Sequence, residues 1–395
     1  MQNPFSGARP VSALALDLEG AEVLRPGGGL QRGRMSIADG VIQSERAGRR
    51  VDLSGYLILP GIVDLHGDGF ERHVAPRRGA MNDPRAGIVA TEAELAANGI
   101  TTAVLAQFHS WEGGLRSPEF AATILRAIHE ARPRLATDLI PQLRFETHML
   151  DDFERLPDLL AGFGVRYLVF NDHLPHARLA DGRRPARLAG QALKAGRNPE
   201  RHLALMQALH ARRAEVPDAL DRLTARLVAQ GVRMGSHDDA DAATREQWRR
   251  RGVRIAEFPE TRHAAEAART GGDSIVLGAP NVVRGASHEG NVSARDLVAA
   301  GLCDALASDY HYPSPRRAAL LLADLGLCGL EQAWSLVSAG PARVLGLGDR
   351  GSLEPGKRAD LLVLDRETRR VAAVMAGGVL TYLSGPVGAR FFAGA

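Results

Sequence analysis

Apolar residues along this chain fall into two textures. In the middle, short runs rich in Val, Ile and Leu recur at 58–65, 101–106, 140–145, 166–170, 232–235, 253–258, 274–277 and 304–307. Runs of this length bounded by Gly, Asp or Arg read as strands buried on both faces. Several precede stretches with helical spacing, such as Leu220, Leu223, Leu227 and Val228, or Leu297, Val298 and Leu302. Strand-then-helix repetition implies a parallel sheet, and eight such units fit a (β/α)8 TIM-like barrel. An open doubly wound sheet is the alternative, but no Gly-x-Gly-x-x-Gly follows the first strand, which counts against a dinucleotide fold.

The two ends read differently. Brief apolar runs at 13–17, 34–39, 40–43 and 56–59 alternate with Gly and Asp turns, and the same texture returns at 360–365 and 371–379. This predicts a small discontinuous β domain built from 1–57 and 350–395, with the barrel, 58–349, inserted into it. The segment 174–199 breaks the rhythm: it is rich in Arg, Ala, Gly and Pro and longer than an ordinary strand-to-helix connection. It reads as a loop able to close over a substrate.

Composition narrows the class. A chain of 395 residues with 45% hydrophobic content can bury a large core. It has no apolar stretch near the roughly 20 residues that span a bilayer, and its start lacks the order of a signal peptide, so the cytoplasm is expected. Cys303 and Cys328 are too few for a disulfide framework and read as small buried residues. A net charge of +3, with Arg interspersed among Glu and Asp, is no nucleic-acid signature. The expected partner is a small phosphorylated molecule, with at most a second copy of the chain as a homodimer, and neither nucleic acid nor membrane.

Barrel active sites collect at the C-terminal ends of the strands, and polar residues stand there repeatedly. His66 and Asp68 follow the first strand, Glu146 the third, Asp172 and His173 the fourth, His237 and Asp238 the fifth, and Asp309 the eighth. Residues two apart on extended chain point the same way, so His66 and Asp68 can converge on one ion. Three imidazoles and a choice of five carboxylates suit one or two divalent ions, zinc first, manganese or iron otherwise. Asp309 is placed to take the proton of a water that such an ion activates, as general base. His73, His109, His129, His202, His210 and His263 lack the strand-end pattern, His148, His176 and His311 stay undecided, and Asp239 reads as a helix N-cap. For an anionic substrate, Arg72 and Arg77 follow closely on His66 and Asp68. The run 278–291 supplies Asn281, Arg284, Ser287, His288 and Asn291 as donors after the seventh strand, where barrels often bind phosphate.

The phrase Leu-Pro-Gly-Ile-Val-Asp-Leu-His-Gly-Asp at 59–68, the phrase Gly-Ser-Leu-Glu-Pro-Gly-Lys-Arg-Ala-Asp-Leu-Leu-Val-Leu from 351 and the eighth-strand Asp resemble the amidohydrolase superfamily. Gly-Ser-His-Asp-Asp at 235–239, Ile-Ala-Glu-Phe-Pro at 255–259, the run 278–291 and Ala-Ser-Asp-Tyr at 307–310 are similar to its diphosphatase branch in the carbon-phosphorus lyase pathway. That resemblance implies release of pyrophosphate from α-D-ribose 1-methylphosphonate 5-triphosphate. It implies His66, Asp68, Glu146, His173, His237 and Asp309 as metal ligands, Glu146 bridging, and leaves Asp238 to the substrate. The chain departs from the pattern at Gly69, where an Asn is usual, and in Leu-Pro-His-Ala-Arg-Leu at 174–179. A cyclic-amide or N-acyl hydrolase on the same scaffold is the enzymatic alternative. A catalytically silent paralogue is the alternative from another class.

Overall fold

In the computed structural model, residues 13–76, 83–285 and 292–393 are described. The middle of the chain forms strands β1 (Ile62–Gly67), β2 (Ile100–His109), β3 (Asp138–Glu146), β4 (Tyr167–Asn171), β5 (Arg233–His237), β6 (Ile255–Glu257), β7 (Ser274–Gly278) and β8 (Ala305–Ala307). They lie in one sheet in sequence order, with parallel registers. A parallel bridge between Gly67 and Asp309 joins its first strand to the end of its last. Unbroken sequence order with that bridge is barrel topology and excludes a doubly wound sheet, whose order reverses at a switch point. β1, β2, β4, β6 and β8 are buried at every position, as strands covered on both faces must be.

The expected strand 58–65 is two strands. Tyr56–Pro60 belongs to a six-stranded sheet, and the chain passes through Gly61 into β1. A Cβ at Gly61 would run into the Thr101 side chain, so only glycine fits this crossing. The six-stranded sheet has the order Val379–Leu383, Val371–Ala376, Leu361–Asp365, Tyr56–Pro60, Glu22–Arg25, Gly29–Arg32. The two ends of the chain therefore pair, as their texture predicted, with Leu361 opposite Pro60 and Val363 opposite Ile58. A four-stranded sheet adds Val41–Gln43, Met35–Ala38, Leu16–Glu19 and Arg49–Asp52. The sequence pattern passed over Gly29–Arg32 and Arg49–Asp52 because they bury little or a single Val; backbone pairing, not side-chain burial, makes them strands.

The chain divides into two compact units. One takes in the described residues up to Leu105, Ile128–Ile140 and those from Val276 onward; the other is Ala106–Ala127 with Pro141–Ile275. In the first, Leu18, Met35, Ile37, Ile58, Leu361, Val363 and Met375 make a core under the terminal sheets. In the second, Leu143, Phe145, Leu160, Leu168, Phe170, Leu223 and Leu227 join β3 and β4 to the helix Val216–Ala229.

Several expectations need correction. The segment 174–199 is not a plain loop: it holds helices His176–Ala180 and Leu188–Ala195 and leads into Pro199–Ala211. Leu174, Leu179, Leu188 and Met206 pack with Trp111 in a core of their own. Helices of five and eight residues carry too few turns to show periodicity, which is why the sequence concealed them. The run 278–291 begins as a helix, Ala279–Arg284, not a loop. Asp241, not Asp239, caps the helix Ala242–Arg250, its side chain accepting from the Thr244 amide at 2.7 Å. Cys303 and Cys328 are half-buried free thiols. No helix among the described residues is long and apolar enough to cross a membrane.

Candidate metal and catalytic site

The first unit brings His66, Asp68 and Asp309 together through the backbone. The Asp309 amide donates to the His66 carbonyl at 2.9 Å, and the Asp68 amide to the Asp309 carbonyl at 3.0 Å. Asp309 sits in the left-handed region at φ 55°, a conformation that aspartate tolerates better than most residues and that is frequent at functional sites. Beneath them Asp64 is fully buried, its carboxylate accepting from the Ser308 amide at 2.8 Å and from the Ser308 hydroxyl. Burial pushes Asp64 up to about 7, against those hydrogen bonds. This locks the end of β8 to β1, so the strand-end polar groups start from a rigid base.

The cationic groups expected to meet an anion lie in the same unit. Arg72 donates to the Tyr310 carbonyl at 3.1 Å and pairs with Glu94. Its guanidinium carbon is 5.4 Å from the Tyr312 ring centroid, and that of Arg284 is 5.6 Å from the ring of Tyr310, which is exposed. Two guanidinium groups thus border Tyr310 and Tyr312, within three residues of Asp309. Asn281 lies half-buried in the helix that Arg284 ends. Arg77, Ser287, His288 and Asn291 lie outside the described residues. Gly69 is explained sterically: a Cβ there would stand 3.1 Å from Arg72 Nη1 and the Tyr310 carbonyl oxygen and 3.2 Å from the Tyr312 ring. A side chain at this position fits only if Arg72, the Tyr310 carbonyl and the Tyr312 ring each yield by a few tenths of an ångström.

The second unit gathers the remaining strand-end residues. Glu146, the last residue of β3, is fully buried. Its carboxylate accepts from Trp111 Nε1 and from the His173 amide, both at 3.1 Å, and contacts His173 Nδ1. Glu112 adds a second carboxylate 3.6 Å from that nitrogen. Burial opposes a charged His173, but Glu146 and then Glu112 outweigh it and hold the imidazole above its ordinary range. The donor atoms of Glu112, Glu146 and His173 lie close enough to share an ion.

At the end of β5, His237 Nδ1 is 2.6 Å from Asp238 Oδ2, and Arg144 Nη2 is 3.0 Å from His237 Nε2. Arg cannot accept a hydrogen bond, so Nε2 carries the lone pair and Nδ1 the proton: the ring is in its neutral, ligating form. Asp238, at φ 59°, orients this imidazole. Burial raises the Asp238 carboxyl, but its pairing with His237, and then the charge of Arg144, bring it below its ordinary value. Arg144 is itself buried, its guanidinium carbon 3.9 Å from the Phe108 ring centroid.

The sequence pattern missed Glu257, Trp111, Glu112 and Arg144. Glu257 ends β6, fully buried, and accepts from Gln142 Nε2 at 3.3 Å and from the Tyr167 hydroxyl. The signal was present, since a carboxylate inside the apolar run 253–258 must be either paired or functional. Trp111 and Glu112 lay beyond a strand read as ending at 106, whereas β2 runs to His109, whose Nε2 is 2.8 Å from Asp152 Oδ2.

The amidohydrolase family profile matches residues 73–387. This chain belongs to the amidohydrolase family. The amidohydrolase is a hydrolase, and it is 32% identical over 355 residues to the alpha-D-ribose 1-methylphosphonate 5-triphosphate diphosphatase of Escherichia coli strain K12, covering 86% of this chain and 92% of that protein. Its fold is shared with a beta-aspartyl dipeptidase from Fervidobacterium islandicum AW-1, at TM-score 0.61 and 13% identity over 94% of this chain and 97% of that one. It is shared too with the N-acyl-D-glutamate deacylase of Bordetella bronchiseptica complexed with zinc, at TM-score 0.59 and 16% identity over 95% and 98%.

Proposed function

We propose that this amidohydrolase releases pyrophosphate from α-D-ribose 1-methylphosphonate 5-triphosphate or a related ribosyl triphosphate, leaving the 5-phosphate, as a cytoplasmic step of phosphonate catabolism. The observation that carries the reading is 32% identity, over 86% of the chain, to a diphosphatase of that substrate. Arg72 and Arg284 beside Tyr310 support it, because a departing pyrophosphate needs fixed cationic partners.

His66, Asp68, Glu146, His173, His237 and Asp309 would hold one or two divalent ions, with Glu257 as an addition from β6. The donor set fits zinc first and manganese or iron next: imidazole nitrogens and carboxylates are the ligands these ions take, and the His237 Nε2 lone pair, which accepts from Arg144, becomes a ligand once that guanidinium swings aside. An ion held there supplies Lewis acidity and makes water a competent nucleophile near neutral pH. Asp309 takes the proton of the attacking water. The water oxygen bonds to the α-phosphorus, the bond from that phosphorus to the oxygen bridging toward the β-phosphorus breaks, and its electron pair leaves with pyrophosphate. Asp238 keeps His237 in position, the usual task of a carboxylate behind a ligating imidazole. Arg72 and Arg284, with Arg77, Asn281, His288 and Asn291, bind the phosphates.

The test is phosphorus NMR of the metal-loaded protein with the ribosyl triphosphate and nucleoside triphosphates, with proton NMR of N-acyl and cyclic-amide substrates in parallel. Pyrophosphate should appear with the ribosyl triphosphate. Turnover of the amides alone would replace this reading with amide hydrolysis.

A further inference from the structure

A second cluster of donors is made only of residues that the site above does not use, and all of it lies within the second unit. His148 stands two residues beyond β3, Asp172 directly after β4, and His176 opens the helix His176–Ala180. His210 comes from the helix Pro199–Ala211. His148 Nε2 is 3.4 Å from Asp172 Oδ2, and His176 Nε2 is 3.0 Å from the same oxygen. The ring centroids of His148 and His176 are 4.7 Å apart, those of His176 and His210 5.1 Å. His148 is buried at 4% exposure, and its Nδ1 has no hydrogen-bond partner among the described residues.

His176 Nδ1 and His210 Nδ1 are 2.8 Å apart, so one of them donates. When a neutral His176 donates through Nδ1 to His210, its Nε2 turns a lone pair toward the Asp172 carboxylate, and a divalent cation can lie between them in place of a proton. The spacing is already suitable: ligand bonds of about 2.0–2.1 Å in tetrahedral array place donor atoms about 3.3 Å apart. The donor atoms of His148, Asp172 and His176 form a group close enough to hold one ion.

We propose that His148 Nε2, the Asp172 carboxylate and His176 Nε2 form a second divalent-cation site, of zinc type, with His210 accepting from His176 Nδ1 to fix that ligand's orientation. Two imidazoles and a carboxylate with an open fourth position are a recognised zinc donor set. The ion staples the ends of β3 and β4 to the helical segment 176–211. The inference is independent of which bond the enzyme cleaves.

The experiment is zinc titration of chelator-stripped full-length protein against a chromogenic zinc competitor, comparing wild type with His176→Gln, His148→Gln and His66→Ala. His176→Gln is the robust variant, because its side chain is one-third exposed, at 33%. Wild type should take up one equivalent more than His176→Gln or His148→Gln. In His66→Ala, adding His176→Gln should remove one equivalent again, which separates this site from the one at the strand ends. Zinc should also slow tryptic cleavage after Arg183 in wild type and not in His176→Gln. Equal zinc uptake by wild type and folded His176→Gln overturns the proposal, whatever either protein catalyses.

Discussion

At the scale of single residues, the roles divide according to what each side chain touches. Asp309→Asn keeps the shape and the backbone bonds to His66 and Asp68 but loses the proton acceptor. Its turnover should fall by about 10²–10⁴-fold while it keeps more of its metal than His66→Ala does, because the Asn carbonyl oxygen can still ligate; activity assays paired with metal analysis will read both. His66→Ala should instead lose metal first, and the same pair of measurements separates the two. A different effect is expected at Asp17, whose buried carboxylate accepts from Ser36 Oγ at 2.6 Å and the Ala47 amide at 3.1 Å. Burial raises its pKa, yet the Ser36 and backbone hydrogen bonds prevail and the net shift is downward from 3.8. A depressed folded pKa gives stability that is present above the unfolded value and is lost as pH falls through the folded one. Asp17→Asn should therefore cost about 1–3 kcal/mol near neutrality, and the gap should close below about pH 4. Denaturant melts at several pH values check this; a gap that stays constant into acid would remove the charge from the explanation.

At the scale of elements, what the sequence revealed depended on how each strand or helix earns its burial. The eight central runs were readable because both faces of each strand are covered, which forces unbroken apolar stretches. Arg49–Asp52, with one buried Val, and the short helices His176–Ala180 and Leu188–Ala195 depend on partners far away in the chain. The core made by Trp111, Leu174, Leu179, Leu188 and Met206 is small and specific to the segment 174–211. Met206→Ala should cost about 2–5 kcal/mol there. Because the loss is local, hydrogen exchange should quicken across 176–211 while β3 and β4 keep their protection. Uniform acceleration through both would mean that the segment is no separate unit of stability.

At the scale of the whole molecule, the six-stranded sheet depends on both ends of the chain. Truncation after Asp360 removes the partner of Tyr56–Pro60 and takes Leu361, Val363, Ala373 and Met375 out of the core. The truncated chain should be insoluble on expression, since it bares a buried strand edge and apolar face together. A soluble product with an unchanged melting curve would show the terminal sheet to be dispensable. The sequence by itself determined the barrel rhythm, the pairing of the two β-textured ends and the strand-end residues His66, Asp68, Glu146, His173, His237 and Asp309, because burial pattern and strand polarity are local properties of the chain. Only the tertiary structure decided that Arg144 caps His237, that Glu257 is held by Tyr167 and Gln142, and that His148, Asp172, His176 and His210 meet. Those contacts join residues up to 115 positions apart, and no periodicity along a chain records which distant side chains a parallel sheet will bring side by side.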